Sequence, residues 1–127
     1  MQPRRSTPMY LVDDLSDARL RYIGLGFVPV PGDDEDEGCC GVTAGQTHII
    51  LIGRDHAERT LPPRAVALLE DKPALYVWVD SLEDLRAATW AETDTFLGEV
   101  STAGLREWAV ESEHGLLVFA ETIGRQH

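Results

Sequence analysis

The sequence predicts an α+β domain made of two copies of the same β-α-β-β-β unit, and an internal repeat is the main observation behind this prediction. Segments 12–19 and 79–86 share five of eight residues at an offset of 67 positions. The same offset places the apolar run 49–52 on the run 116–119. Because one offset aligns the beginning and the end of both halves, we interpret it as a duplication, which sets the architecture of the chain.

Each half begins with a short apolar strand, 9–12 in the first and 75–79 in the second, followed by an acidic turn and a helix. Helical spacing indicates both helices, and acidic residues in their first turns complement the helix dipole. The residues with helical spacing are Leu15, Ala18, Tyr22 and Leu25 in the first half and Leu82, Leu85 and Thr89 in the second. Gly24 and Gly26 are expected to end the first helix. The three strands predicted after each helix are 27–30, 39–43 and 48–52, and then 96–100, 105–110 and 116–121.

A length of 127 residues is typical of a single domain, so we expect one domain spanning residues 1–127. Module one is predicted at about 8–53, a linker at about 54–73 and module two at about 74–122. Within the linker, residues 64–70 form a candidate helix after Pro62 and Pro63, since proline is accepted at a helix start. The acidic run 33–37 is expected to be a solvated loop.

The net charge of −11 argues against nucleic acid as a partner, because a phosphate backbone requires clustered Lys and Arg. Acidity attracts cationic ligands at long range, although it also serves solubility alone. No apolar run approaches the ~20 residues of a membrane span, and residues 1–7 have no apolar stretch after them that would make a signal peptide. We therefore expect a cytoplasmic protein with no membrane partner. Cys39 and Cys40 are adjacent, so we expect no disulfide between them.

Three segments resemble the glyoxalase/bleomycin-resistance/dioxygenase superfamily, also called the vicinal oxygen chelate proteins. Residues 8–15 resemble its opening strand, 75–79 with Leu82 and Trp90 resemble its central strand and second helix, and 106–110 with Gly115 resemble its closing hairpin. The bleomycin-resistance branch matches best, although its usual Asp-Pro-x-Gly-Asn is replaced here by 112–116. The resemblance implies a curved mixed sheet with a concave groove that two chains complete as a homodimer.

Enzymes of this superfamily hold a divalent metal at fixed inward positions, which the resemblance projects near the following residues: Thr7, Ala74, Ile50 or Ile52, and Phe119. None is a good ligand, and a divalent site requires convergent nitrogen or oxygen donors. The four histidines are His48, His56, His114 and His127, and their places in the sequence do not bring them together. We expect no metal and no other cofactor. A metalloenzyme of the same superfamily, a lyase or dioxygenase with its metal in an unusual place, is the alternative.

Strand alternation predicts which side chains line the groove. Val12 and Val79 directly precede the helices, so their face is expected to pack beneath them. The other face then presents the candidate ligand-binding residues Met9, Leu11, Tyr76, Trp78, Leu117 and Phe119, with Glu107 and Glu121 able to face the groove. Aromatic residues on an uncovered sheet face suit a flat, partly polar ligand, but they also fill cores and dimer interfaces. Trp90 and Trp108 are interpreted as core residues on the helix side.

The function that these observations favour is sequestration of a cationic or aromatic small molecule, such as a bleomycin-like antibiotic, without catalysis. No nucleophile motif or phosphate-binding loop is present, and no catalytic residue is predicted. A thiol–imidazole pair of Cys39 or Cys40 with His48 has no support from the spacing. A relative that binds some other metabolite or partner remains open, because a fold does not fix a function.

Overall fold

A computed structural model describes residues 5–30, 38–87, 95–102 and 105–122. This part of the chain contains eight strands and four helices. The strands are β1 (Arg5–Val12), β2 (Val28–Pro29), β3 (Cys39–Ala44), β4 (Thr47–Gly53), β5 (Ala74–Trp78), β6 (Thr95–Thr102), β7 (Leu105–Ser112) and β8 (Gly115–Thr122). The helices are α1 (Leu15–Gly24), α2 (Arg54–Thr60), α3 (Pro63–Asp71) and α4 (Leu82–Ala87).

The order of elements is β-α-β-β-β, then two helices, then β-α-β-β-β again, which confirms the two tandem units predicted from the repeat. The predicted strands are all present, with ends that differ by a few residues. The helix predicted at 64–70 is α3, whereas α2 was not predicted. The acidic run 33–37 and Trp90 lie outside the described residues. None of the described helices has the length and apolar character needed to cross a membrane.

The eight strands form one curved, unclosed mixed sheet in the order β2-β3-β4-β1-β5-β8-β7-β6. At its centre, β1 and β5 pair antiparallel. On either side of this pair the relation repeats, because β1 is parallel to β4 and β5 is parallel to β8. The first strand of each module therefore lies at the middle of the sheet, and side chains from both modules meet on the same face.

The outer face of the sheet is defined here as the face that carries α1 and α4. It holds the valines that the repeat predicted beneath these helices. The Asp14 side chain caps α1 by accepting a hydrogen bond of 2.9 Å from the Asp17 N–H. Below α1, Val12 packs on the buried cluster that contains Val42 and Leu51. The Val12 end of β1 therefore lies beneath its helix, as predicted.

In module two, α4 covers the equivalent part of the outer face. Leu82 is fully buried and packs with Val77, Val79 and Trp108, each of which is also buried. The Trp108 Nε1–H donates a hydrogen bond of 2.7 Å to Glu99, which satisfies its polar atom. This arrangement confirms Val79 beneath the helix and Trp108 as a core residue on the helix side.

The inner face, opposite to α1 and α4, is partly covered by the two linker helices. Their apolar side chains Ala57, Leu61, Ala65, Val66 and Leu69 share one buried cluster with Met9 and Tyr76. The linker thus contributes a wall of the core, because α2 and α3 bury apolar surface against the strands of both modules.

Ion pairs at the surface fasten this linker to the sheet. Arg54 at the start of α2 bonds Asp13 and Glu70, each at 2.7 Å. Arg64 on α3 forms a bidentate ion pair with Glu111 of β7, in which its Nε and Nη2 atoms donate to the two carboxylate oxygens at 3.0 and 2.6 Å. At least one residue of each pair is well exposed, so each pair adds modest stability and mainly fixes the position of the helices.

The structure corrects the predicted orientation of β8. Phe119 pairs with Val77 and packs against the buried residues beneath α4, on the outer face. Val118 and Ala120 pair with Tyr76 and Trp78, on the inner face. Leu117, Phe119 and Glu121 therefore lie on the outer face and not in the groove. Glu121 accepts a hydrogen bond of 2.8 Å from the Leu82 N–H, at the start of α4.

The physical reason is a change of offset within the repeat. Met9 and Tyr76, which are 67 positions apart, occupy equivalent inner positions on β1 and β5. Their respective partners on β4 and β8 are Ile50 and Val118, which are 68 positions apart. A shift of one residue in a strand moves every side chain to the other face, so the offset of 67 gave the wrong face for β8.

Candidate functional site

A cavity of about 560 Å³ lies on the inner face, between the sheet and the beginning of the linker. This volume is within the range of roughly 300–1,000 Å³ that is usual for small-molecule sites. Both modules and helix α2 contribute to its walls. The lining residues used below are Thr7, Met9, Cys39, Cys40, His48, Ile50, Ile52, His56, Thr60, Leu61, Tyr76, Trp78, Val100, Glu107 and Val118.

Four of the predicted ligand-binding residues line this cavity: Met9, Tyr76, Trp78 and Glu107. Leu11 packs against the inner core but does not belong to the lining. The remaining three predicted residues are those of β8 that the register turns to the outer face. The predicted residues that line the cavity therefore come from β1, β5 and β7, and β8 contributes Val118.

Two aromatic rings form one wall of the cavity. Tyr76 and Trp78 are two residues apart on β5, and they therefore project to the same face. Their ring centroids lie 5.3 Å apart at an interplanar angle of 64°, an edge-to-face contact that keeps both rings in place. Tyr76 is buried, whereas Trp78 is only partly buried, so the tryptophan presents the more accessible surface.

The main polar feature of this wall is a carboxyl–phenol pair. The Tyr76 hydroxyl donates a hydrogen bond to the Glu107 carboxylate from β7. Burial raises the pKa of Glu107, because a charged carboxylate is disfavoured away from water, while the hydrogen bond from Tyr76 acts in the opposite direction. Burial, followed by the negative charge of Glu107, raises the pKa of the Tyr76 hydroxyl, which keeps its proton. The pair thus places a carboxyl group with a perturbed pKa inside an apolar cavity.

The opposite wall is formed by module one and α2. It includes Cys39 and Cys40, together with His48 and His56. Burial lowers the pKa of His56, and the positive charge of Arg59 lowers it further, which favours a neutral imidazole. This wall offers polar groups beside the apolar surface of Ile50 and Ile52.

The position of His56 depends on a glycine. Gly38 has a φ of 94°, and a Cβ atom built there would collide with the His56 ring. The Gly38 carbonyl also accepts a hydrogen bond of 2.9 Å from the Gly53 N–H, which ties the start of β3 to the beginning of α2. Glycine is required here by the positive φ and by the lack of space for a Cβ atom, so the close approach of α2 to β3 is built into the sequence.

Sequence reasoning missed the contribution of α2. His56, Thr60 and Leu61 line the cavity, although the linker was expected only to connect the modules. The Thr60 hydroxyl donates a hydrogen bond of 2.8 Å to the His56 carbonyl, and its side chain therefore points back along the helix. Ala65 and Leu69 have the helical spacing of an apolar face on α3, but α2 itself carries no such pattern.

The projected metal positions can now be compared with the cavity. Thr7, Ile50 and Ile52 line it, Ala74 is buried beside Met9 in the inner core, and Phe119 lies on the outer face. Within residues 5–30, 38–87, 95–102 and 105–122, no three His, Cys, Asp or Glu side chains converge as a metal site would require. The donor set of the described cavity therefore does not fit the metal centre of the superfamily enzymes.

Comparison with known proteins supports the architecture at the level of the fold. No family model and no curated protein gives a significant match to the sequence. A glyoxalase/bleomycin resistance protein/dioxygenase superfamily member from Vibrio splendidus has a similar structure, with a TM-score of 0.60 and 18% identity over 94% of this chain and 99% of its own. A hypothetical protein from Bacillus halodurans gives a TM-score of 0.66 and 15% identity over 100% and 99% of the two chains.

A bleomycin-binding protein from Streptomyces verticillus, solved with copper(II)-bleomycin, is also similar, at 18% identity over 94% of each chain. Its TM-score of 0.34 is too low for its binding site to be compared with this one. The chain has the fold of the glyoxalase/bleomycin-resistance/dioxygenase superfamily.

Proposed function

We propose that this protein binds a small, largely aromatic molecule in the inner cavity without a metal. The observation that carries the proposal is the cavity itself, which combines apolar walls, two aromatic rings and a small number of polar groups. Such a combination is typical of ligand sites, where apolar contacts give affinity and a few polar atoms fix orientation. The superfamily fold supports the same function.

The charge of the protein supports a ligand with a positive charge. The net charge of −11 attracts cations over long distances, and Glu107 places a carboxyl group in the cavity. Sequestration of a cationic or aromatic antibiotic, as in resistance proteins of the bleomycin type, is the biological role that we propose for this binding.

A homodimer is part of the proposal, with a second copy completing the groove. Leu75 and Phe96 expose 41% and 51% of their surfaces, which a partner chain would cover. Strand β1 lies between β4 and β5 of its own chain, and Pro8 is opposite Leu75. Sedimentation at micromolar concentration tests this part, because a single species with the mass of one chain would contradict it.

Titration with N-phenyl-1-naphthylamine, a neutral dye that fluoresces in apolar surroundings, tests the cavity. We expect saturable binding, and at a hundredfold excess over Kd the dye should stabilise the fold by about 2.7 kcal/mol. Elemental analysis of the same sample tests the metal-free proposal. One stoichiometric transition metal per chain would support the metalloenzyme alternative.

Two tryptophan substitutions locate the dye. Val100 is a partly buried cavity residue on β6, so Val100→Trp should fill the site and abolish dye binding. Leu20 lies on α1 and exposes 63% of its surface, so Leu20→Trp is the matched control and should leave binding unchanged. Dye binding that survives in folded Val100→Trp protein would place the dye elsewhere and contradict the proposal.

A further inference from the structure

Glu107 has a special position among the polar groups of the cavity. It is the one carboxyl group among the described lining residues, and these residues include no lysine or arginine. Its sequence neighbour Arg106 does not reach the cavity, because it lies on the outer face and bonds Glu83 and Glu99 there. Within the described lining, Glu107 therefore has a phenol as its partner and no cation.

The Tyr76 hydrogen bond keeps this carboxylate competent for a further contact. A carboxylate has two oxygens with about four acceptor positions, and the bond from the Tyr76 hydroxyl engages one oxygen, Oε2. The hydroxyl also fixes the direction of the group, because Tyr76 is held by burial and by its contact with Trp78. An oriented carboxylate beside aromatic rings is the arrangement that recognises an ammonium group attached to an aromatic body.

We propose that the Glu107 carboxylate, oriented by the Tyr76 hydroxyl, binds a protonated amine of the ligand while the aromatic part of the ligand packs on Trp78. This inference rests on the proposed function and names its ligand class, an aromatic amine-bearing cation. The ammonium group satisfies a buried carboxylate that otherwise has only one neutral donor among the described residues. Selectivity against neutral and anionic analogues follows from the same carboxylate, because neither supplies the missing positive charge.

A protonated Glu107 would recognise a different kind of ligand, and the pH dependence of the affinity distinguishes the two cases. If Glu107 were protonated in the complex, it would donate a hydrogen bond to a carbonyl oxygen of a neutral ligand. Affinity would then fall as the pH rises and the carboxyl group loses its proton. With an ammonium ligand, affinity must instead rise with pH, because binding favours the ionised carboxylate. An alkylammonium group stays protonated to about pH 10, so it does not limit this rise in the neutral range.

Other titratable groups of the cavity must be considered in the pH profile. They are Tyr76 on β5, Cys39 and Cys40 on β3, His48 on β4 and His56 on α2. On β6 and β8, the described lining residues are Val100 and Val118, which do not titrate. Glu107→Gln separates these contributions, because it removes the carboxyl group while it keeps an oxygen that accepts from Tyr76.

The experiment uses three indole probes that differ in charge: tryptamine, tryptophol and indole-3-propionate. Calorimetric titration of the full chain should give tryptamine an affinity at least about tenfold above that of tryptophol at pH 7.5. Indole-3-propionate should bind weakest. In Glu107→Gln the advantage of tryptamine over tryptophol should disappear, and the rise of tryptamine affinity with pH should flatten.

Glu113→Gln is the control for charge, since Glu113 lies in an exposed turn beside His114 and outside the cavity. It should retain the preference for tryptamine. Tyr76→Phe should reduce the preference without removing it, because the carboxylate stays but loses its orienting bond. Equal affinities of tryptamine and tryptophol for wild-type protein would overturn the amine site and leave the proposed function standing. Failure of all three probes to bind would contradict the proposed function itself.

Discussion

Replacing Trp78 with alanine separates a cavity wall from ordinary core, because a second tryptophan provides the comparison. Trp108 lies on the outer face with 4% of its surface exposed, and it packs on Phe96 with ring centroids 5.6 Å apart. Loss of such a fully packed ring costs about 3–5 kcal/mol. Trp78 borders the inner cavity and is only partly buried, so the loss of its ring removes fewer packing contacts than the loss of the Trp108 ring.

The magnitudes follow from the buried area. An aromatic side chain that buries about 200 Å² contributes about 5 kcal/mol at roughly 25 cal/mol per Å². With one side of its ring on the cavity, Trp78 should contribute about half of this, so we expect Trp78→Ala to lower the free energy of unfolding by about 2.5 kcal/mol. The same substitution removes the ring on which the ligand packs, and dye affinity should fall by about tenfold.

Urea denaturation followed by far-ultraviolet circular dichroism measures the stability of both variants, and dye titration measures binding. Trp108→Ala should lose more stability than Trp78→Ala but, in conditions where it is folded, should keep most of its dye affinity. A Trp78→Ala protein as unstable as Trp108→Ala would mean that Trp78 is core. Unchanged dye affinity in folded Trp78→Ala would remove the ring from the site.

Three further predictions concern the cavity and the linker helices. Gly38→Ala should destabilise the protein by about 1–3 kcal/mol and weaken dye binding, as measured by denaturation and titration, because a side chain is strained at this φ and meets His56. Burial raises the pKa of Glu107, so its folded form favours the proton and it contributes stability at low pH that is lost as the pH rises through its folded pKa. Glu107→Gln should therefore be more stable than wild type at pH 8 and lose this advantage near pH 4; equal stability of the two proteins at pH 8 would contradict the cost of burying the charge. Arg64→Ala breaks the exposed pair with Glu111 and should lower stability by less than about 1 kcal/mol, an effect that 1 M salt should largely remove in thermal denaturation.

Much of the fold could be predicted from the sequence because one repeat carried it. The acidic turn after Val12 and Val79 marked the start of both helices, and the valines then identified the outer face at both places. The inner positions of Met9, Tyr76 and Trp78 followed from strand alternation once the valines had identified the outer face. These predictions used short-range geometry, which strand periodicity fixes within one strand.

The predictions that failed depended on relations between strands. The phase of β8 cannot be read from alternation, since an apolar run such as 116–120 fits either face, and the offset of the repeat changes by one residue before Val118. The contribution of α2 was missed for a different reason. Its seven residues include the polar run Arg54 to His56, and only the tertiary contacts of Ala57 and Leu61 turn it into a wall.

The position of α2 also affects how such a protein can diverge. His56, Thr60 and Leu61 touch the cavity from a segment that pairs with no strand and belongs to neither copy of the repeat. Substitutions there alter the shape and polarity of the cavity while the hydrogen bonds of the sheet stay intact. Ligand preference can therefore drift through the partly buried His56 and Thr60, whereas a change at the buried Leu61 or on β5 would disturb the core.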